Sequence, residues 1–233
     1  VRSMREPLFE ATETGGWDED DWERFLQLAD ARAAKFEELF ETFFDDPRRE
    51  EIISHEMGWD DIFQQCRSRV DNCEECSDRF SCEVYEMLRL LEGPDNIDDD
   101  PEARELIACF DQVKEIPAYE RAYGFSARLE RFLRAHFADD FEDEALRSAL
   151  LCAAMVPAQI AGGHGIGYER DSLCGNIANC KRALRSLDAC IEGLRDLERR
   201  GLIGPRDGLS LQSDAARVRR EVERWIEDLR SRV

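Results

Sequence analysis

Four cysteines, Cys66, Cys73, Cys76 and Cys82, fall within 17 residues in the order C-x6-C-x2-C-x5-C. Thiolates at that density can hold a tetrahedral zinc ion or an iron–sulfur cluster, because C-x2-C brings two sulfurs to one ion. The same spacing has a plainer meaning. Steps of seven and three put Cys66, Cys73 and Cys76 on one helical face with Ile62 and Phe80, and cysteine is a small hydrophobe that cores accept. Cys82 lies off that stripe and reaches the others only if the helix breaks near residues 77–81. The second C-x2-C knuckle of a zinc ribbon is missing. A C-x2-C pair at a helix start can also carry a lowered thiol pKa, so a redox dithiol is a third use.

A second constellation ends a run without charge. Ser148 to Tyr168, SALLCAAMVPAQIAGGHGIGY, contains no Asp, Glu, Lys or Arg in a chain that is 36% charged. Its last part, Gly162-Gly163-His164-Gly165-Ile166-Gly167-Tyr168, reads as a glycine-rich turn before a helix that Asp171 or Ser172 caps. Glycines let the backbone approach a ligand closely, and successive N–H groups beside a helix N-terminus cradle anions. Gly163, Gly165 and Gly167 are therefore the candidate cofactor-binding residues. His164, whose imidazole can both donate and accept a proton, is a candidate general acid–base or metal ligand. Tyr168 and Cys174 complete a candidate catalytic set, with Cys174 as nucleophile beside its base and Cys152 as a further neighbour. The phosphate fingerprints GxGxxG after a strand and the P-loop with its lysine are both absent. The competing reading is a tight helix–helix turn whose glycines relieve crowding.

The other histidines carry less. His55, ahead of Gly58-Trp59, reads as a helix-end residue, and His136 as a core histidine on a stripe with Leu129 and Phe132. The Glu-x-x-His pair of di-iron bundles is absent, since Ile52 and Leu133 stand three residues before them. The acidic run 98–100 lacks the glycine and terminal glutamate of a calcium loop.

The elements that must hold these residues are helices. Trp22, Phe25, Ala29, Phe36, Phe40 and Phe43 recur mostly at steps of three and four, opened by Asp18–Asp21 and closed by Pro47. A second stripe runs from Ile62 to Leu91 and stops at Gly93-Pro94. Pro117 opens a helix that turns Tyr119, Ala122, Leu129, Phe132, Leu133 and His136 inward. Further helices are predicted near 143–161, 172–200 and 213–232, the second ended by Gly201 and Gly204-Pro205. Hairpin patterns with period two are lacking. The spacing thus predicts an all-α multi-helix bundle of about seven or eight helices, mostly antiparallel neighbours crossing near +20°. The uncharged segment 149–161, apolar on every side, is expected to be its central helix. Residues 1–233 read as a single helical domain, with the acidic loop 93–101 able to divide 1–92 from 102–233.

Composition narrows the partners. A net charge of −21 disfavours nucleic acid and anionic membranes, which need clustered cations. The uncharged run approaches a membrane span, but Pro157, Gln159 and four glycines oppose insertion. Three lysines among 32 cations fit a GC-rich genome or a salt-rich cytoplasm. Nine cysteines cannot all pair, and no apolar leader stretch occurs in the first 24 residues, so reduced thiols and a cytoplasmic location are expected. The leading functional expectation is a non-enzymatic helical interaction or regulatory protein, with a protein partner or self-association. The alternatives are a thiolate metal or iron–sulfur protein and an enzyme centred on His164. Elemental analysis of anaerobically purified protein separates core thiols from the thiolate site. Core thiols predict metal-free protein. A stoichiometric metal lost in Cys73→Ser and Cys76→Ser is the signature of the site.

Overall fold

The computed structural model describes residues 16–60, 111–137 and 143–232. The set Cys66, Cys73, Cys76 and Cys82, the stripe from Ile62 to Leu91 and the acidic loop 93–101 lie outside the described residues. Six helices are delimited: α1 Glu19–Thr42, α2 Arg49–Met57, α3 Pro117–Phe137, α4 Glu144–Ile166, α5 Leu173–Arg199 and α6 Pro205–Arg230. A further helical turn spans 111–114, and no strand occurs among the described residues. The protein is all-α. Its described residues divide into two compact units, 24–60 in one and 16–23 with 111–232 in the other.

In the smaller unit α1 presents an aromatic ladder. Phe36 packs on Phe40 at 6.1 Å and on Trp59 at 5.9 Å, and the Arg49 guanidinium lies 4.8 Å above the Phe40 ring. Ile53 of α2 is buried. Gly58 ends α2 in the left-handed conformation, at φ 71°, that glycine adopts without strain. His55 sits in that last turn, exposed, with Nδ1 3.1 Å from Asp60.

The larger unit is an antiparallel four-helix ring. Principal contacts run α3–α4, α4–α5, α5–α6 and α6–α3, the α4–α5 contact being the most extensive. Cross-links show the directions. Asp143 with Arg200, Gln159 with Ser186 (2.9 Å) and Gly163 with Asn176 follow α4 forward and α5 backward. The buried positions obey a heptad: Leu146, Ala149, Ala153, Val156, Ile160 and Gly163 on α4 step alternately by three and four. On α5 the same rhythm runs unbroken from Leu173 through Asn176, Cys180, Ala183, Leu187 and Cys190 to Leu197. That pattern keeps one seam facing a neighbour over many turns, as in coiled coils.

Each end has a local cause. Pro117 and Pro205 occupy first turns, where a missing N–H costs nothing. Asp18 Oδ1 accepts from the amides of Asp20 (2.9 Å) and Asp21 (2.8 Å), and the Asp21 carboxylate accepts the Asp18 amide in return, at 3.1 Å. In the same turn, Glu19 takes Arg230 through two 3.0 Å bonds and also pairs with Lys181. The Arg230 guanidinium holds its carboxyl below the ordinary range, against the opposing effect of burial.

Two expectations about inward-facing residues are corrected. The uncharged helix is not the axis of the bundle but one wall of the ring: Leu151 is 65% and Met155 39% exposed. A helix needs only its a and d positions inside a four-membered ring, so the other face of α4 stays outside. His136 is exposed, not a core residue. It lies in the last turn of α3, its ring 4.0 Å from that of Phe132 and its Nδ1–H donating to the Phe132 carbonyl at 2.8 Å.

Asp143 joins two helices. Its Oδ1 accepts from the amides of Ala145 (3.0 Å) and Leu146 (3.2 Å), capping α4, while its carboxylate pairs with Arg200 at the end of α5. The Arg200 hydrogen bond keeps the Asp143 carboxyl below its usual range. A depressed carboxyl stabilises the fold above its unfolded value and ceases to do so as pH falls through the folded one. Asp143→Ala is therefore expected to lower the melting temperature at neutral pH. Melting curves of the two proteins should converge in acid, below the depressed value.

Candidate functional site

The residues expected to form a glycine-rich loop are helical. α4 continues through Gly162, Gly163, His164 and Gly165 to Ile166, and the chain leaves the helix at Gly167, whose φ is 115°. The Gly167 amide bonds the Gly163 carbonyl at 3.4 Å. An anion cradle needs free N–H groups, and helix N–H groups are free only at the opposite end. Gly163, Gly165 and Gly167 instead stand at the carbonyl end, where the macrodipole is negative. This geometry does not favour an anionic cofactor.

Gly163 has a packing reason. A Cβ there would lie 2.7 Å from Asn176 Oδ1 and 3.0 Å from the Asn176 carbonyl oxygen of α5. Toward the other end of the same seam, a Cβ on Gly193 would meet Ala149 Cβ and the Ala145 carbonyl oxygen, each at 3.2 Å. The two glycines let the α4 and α5 backbones approach at both ends of their contact. Asn176 itself is fully buried. Its amide donates to the Gly167 carbonyl at 3.2 Å, and its oxygen accepts from the Cys180 thiol at 3.7 Å. A buried carboxamide satisfied in this way fixes the turn between the helices.

His164 and Tyr168 do meet: a hydrogen bond of 2.7 Å joins Nδ1 to the phenol, and both residues are half-buried. Tyr168 then stands edge-on to Trp225 of α6 at 6.4 Å, with the Arg232 guanidinium 5.3 Å above the indole. This aromatic stack closes one end of the ring. Cys174 belongs to another environment, in the first turn of α5. Burial raises its thiol, and the carboxylates of Glu19 and Asp18 raise it further. An activated nucleophile needs the opposite shift, and no hydrogen bond links Cys174 to His164. Burial likewise pushes Cys180 and Cys190 up to about 12, with Cys152 beside the latter. Among the described residues no group of three or more His, Cys, Asp or Glu gathers as a metal requires.

A groove of about 460 Å³ between α3 and α6 is lined largely by charged side chains. Its Arg128 pairs with Asp214 and bonds Ser210 at 2.9 Å, and Arg217 approaches Asp214 at 3.3 Å. The central cations of the groove are thus paired with its own wall.

The feature the sequence reading missed is the outer face of α4. Leu151, Ala154, Met155, Ala158, Gly162 and Gly165 are all exposed and follow one another by helical steps. Their signal was present, because assigning the heptad to 146–163 leaves these as the complementary face. By length and composition α4 also passes as a candidate membrane span, yet its heptad face is committed to the ring.

The fold and this face define the class: an antiparallel helical bundle with one uncharged outer wall. Compared with known proteins, the chain matches no family model, no curated protein and no solved structure.

The glycines yield a paired test. Gly163→Ala is expected to destabilise by about 1–3 kcal/mol through overpacking against Asn176. Gly165→Ala, in a helix with nothing within 4 Å of the added carbon, is expected to stabilise by roughly 0.5–1 kcal/mol. Chemical denaturation of both variants measures the difference. Equal, small effects would return the segment to a loop.

Proposed function

We propose that this chain is a helical interaction module that docks a protein partner on the uncharged wall of α4. One observation carries the reading: in a chain of net charge −21, the exposed face from Leu151 to Gly165 contains no charged side chain. Small soluble proteins seldom leave a contiguous apolar face open, and such faces mark contact sites. The composition also supports a protein surface as target. Leu151 and Met155 supply flexible apolar bulk, while alanines and glycines let another helix come near.

The test compares the full chain with Ala158→Arg in affinity capture from cell extract. Position 158 is exposed, so helicity and melting are expected to stay unchanged. Proteins held by the wild type should be lost by the variant. Identical retention by both, or none by either, would remove the reading.

A further inference from the structure

We infer that Cys152 of α4 and Cys190 of α5 form a peroxide-responsive thiol pair that closes to a disulfide across the seam between the two helices. The level of the two residues follows from the contacts on either side of them. Gln159 and Ser186 bond at 2.9 Å, and farther along the same seam a Cβ on Gly193 would meet the Ala149 Cβ at 3.2 Å. Because the helices run antiparallel, a step of three residues forward on α4 is matched by three backward on α5. That step leads from Ala149 to Cys152 and from Gly193 to Cys190. A disulfide needs Cβ atoms about 3.5–4.5 Å apart, and the contact one turn away is already within that reach. The bond would join α4 to its most extensive contact.

The two thiols differ in environment. Cys190 is fully buried and Cys152 half-buried. Burial, and after it the charge of the neighbouring Cys152, pushes the Cys190 thiol up to about 12. Cys190 therefore keeps its proton, and Cys152 is the sulfur that a small oxidant reaches. Ser148 Oγ stands 4.0 Å from that sulfur. The oxidant is a hydroperoxide, of which hydrogen peroxide is the smallest. The Cys152 thiolate attacks one peroxide oxygen, the O–O bond breaks, and the hydroxide released takes up the proton that Cys152 gave up. Cys152 is then a sulfenic acid. The Cys190 sulfur attacks the Cys152 sulfur, the S–O bond breaks, and the departing hydroxide takes the Cys190 proton. Two thiols have then lost two electrons and two hydrogens, and one hydrogen peroxide has become two waters. Cys180 stays apart, its thiol donating to Asn176 Oδ1 at 3.7 Å toward the other end of α5.

Peptide mapping of the native full chain tests the pair. Hydrogen peroxide is added and then removed with catalase, and the remaining thiols are alkylated in denaturant before tryptic digestion without reductant. Cleavage after Arg147, Arg170, Arg185 and Arg195 leaves Cys152 and Cys190 on separate peptides, each without another cysteine. The two peptides are expected as one cross-linked species, lighter than their sum by the lost hydrogens and separated by dithiothreitol. The oxidised chain should melt higher by on the order of 10 °C, because the bond restricts the unfolded state. In Cys190→Ala the Cys152 peptide should instead carry a sulfinic acid, since no second thiol resolves the first product. Recovery of both wild-type thiols alkylated overturns the pair, and so does Cys152 joined to any other cysteine. A cross-link that forms only in denatured protein, or that lowers the melting temperature, also overturns it, by showing that the native seam does not accept the bond.

Discussion

From Ser148 to Tyr168 the chain has no charged side chain with which to form an ion pair. α4 therefore depends on contact, and contact requires that its backbone lie close to that of α5. Gly163 and Gly193 permit this at the two ends of the seam, and Ala149 and Ala153 line it between them. Asn176 supplies the polar constraint at one end and the capping carboxylate of Asp143, paired to Arg200, the other. The aromatic closure by Tyr168 and Trp225 follows from the same contact, because the turn that carries Tyr168 is fixed by Asn176.

Much of this was legible in the spacing of apolar residues. Pro117 and the Gly201–Pro205 break mark ends correctly, and the repeat on the last helices predicts antiparallel neighbours because short turns leave no other choice. What failed had physical reasons. Hydropathy records that α4 lacks charge, not which side of it meets other helices, so a wall was read as a centre. Glycine density near 163 was read as a loop because local propensity there is weak. The contact with Asn176, distant in sequence, belongs to a turn that is helical. His136 keeps the inward spacing of Leu129 and Leu133 but lies in the last turn of α3, exposed. Asn176 escaped notice since a polar residue on a core stripe has no periodic signature of its own.

The remainder of the larger unit is organised by charge. Glu19 holds Lys181 and Arg230, Glu23 holds Arg185 at 2.7 Å, and Asp188 pairs with Arg219 across α5 and α6. Individually such exposed pairs contribute little. Their distribution matters more, since these named pairs lie on α5, α6 and the start of α1, not on the uncharged stretch of α4. Repulsion between molecules is thus strong on those sides and weak on one.

The heptad of α5 has a further implication. Sliding that helix by seven residues would still bring an apolar side chain to most levels of the seam, Leu194 for Leu187 and Cys190 for Ala183 among them, so the oily pattern alone only weakly opposes a slip. Asn176 breaks the degeneracy. Displaced, its carboxamide would lose the Gly167 carbonyl and enter a dry layer unsatisfied, and Gly163 would face a side chain other than the one its missing Cβ accommodates. A single amide and two absent methyl groups thereby select one register from several that grease would accept.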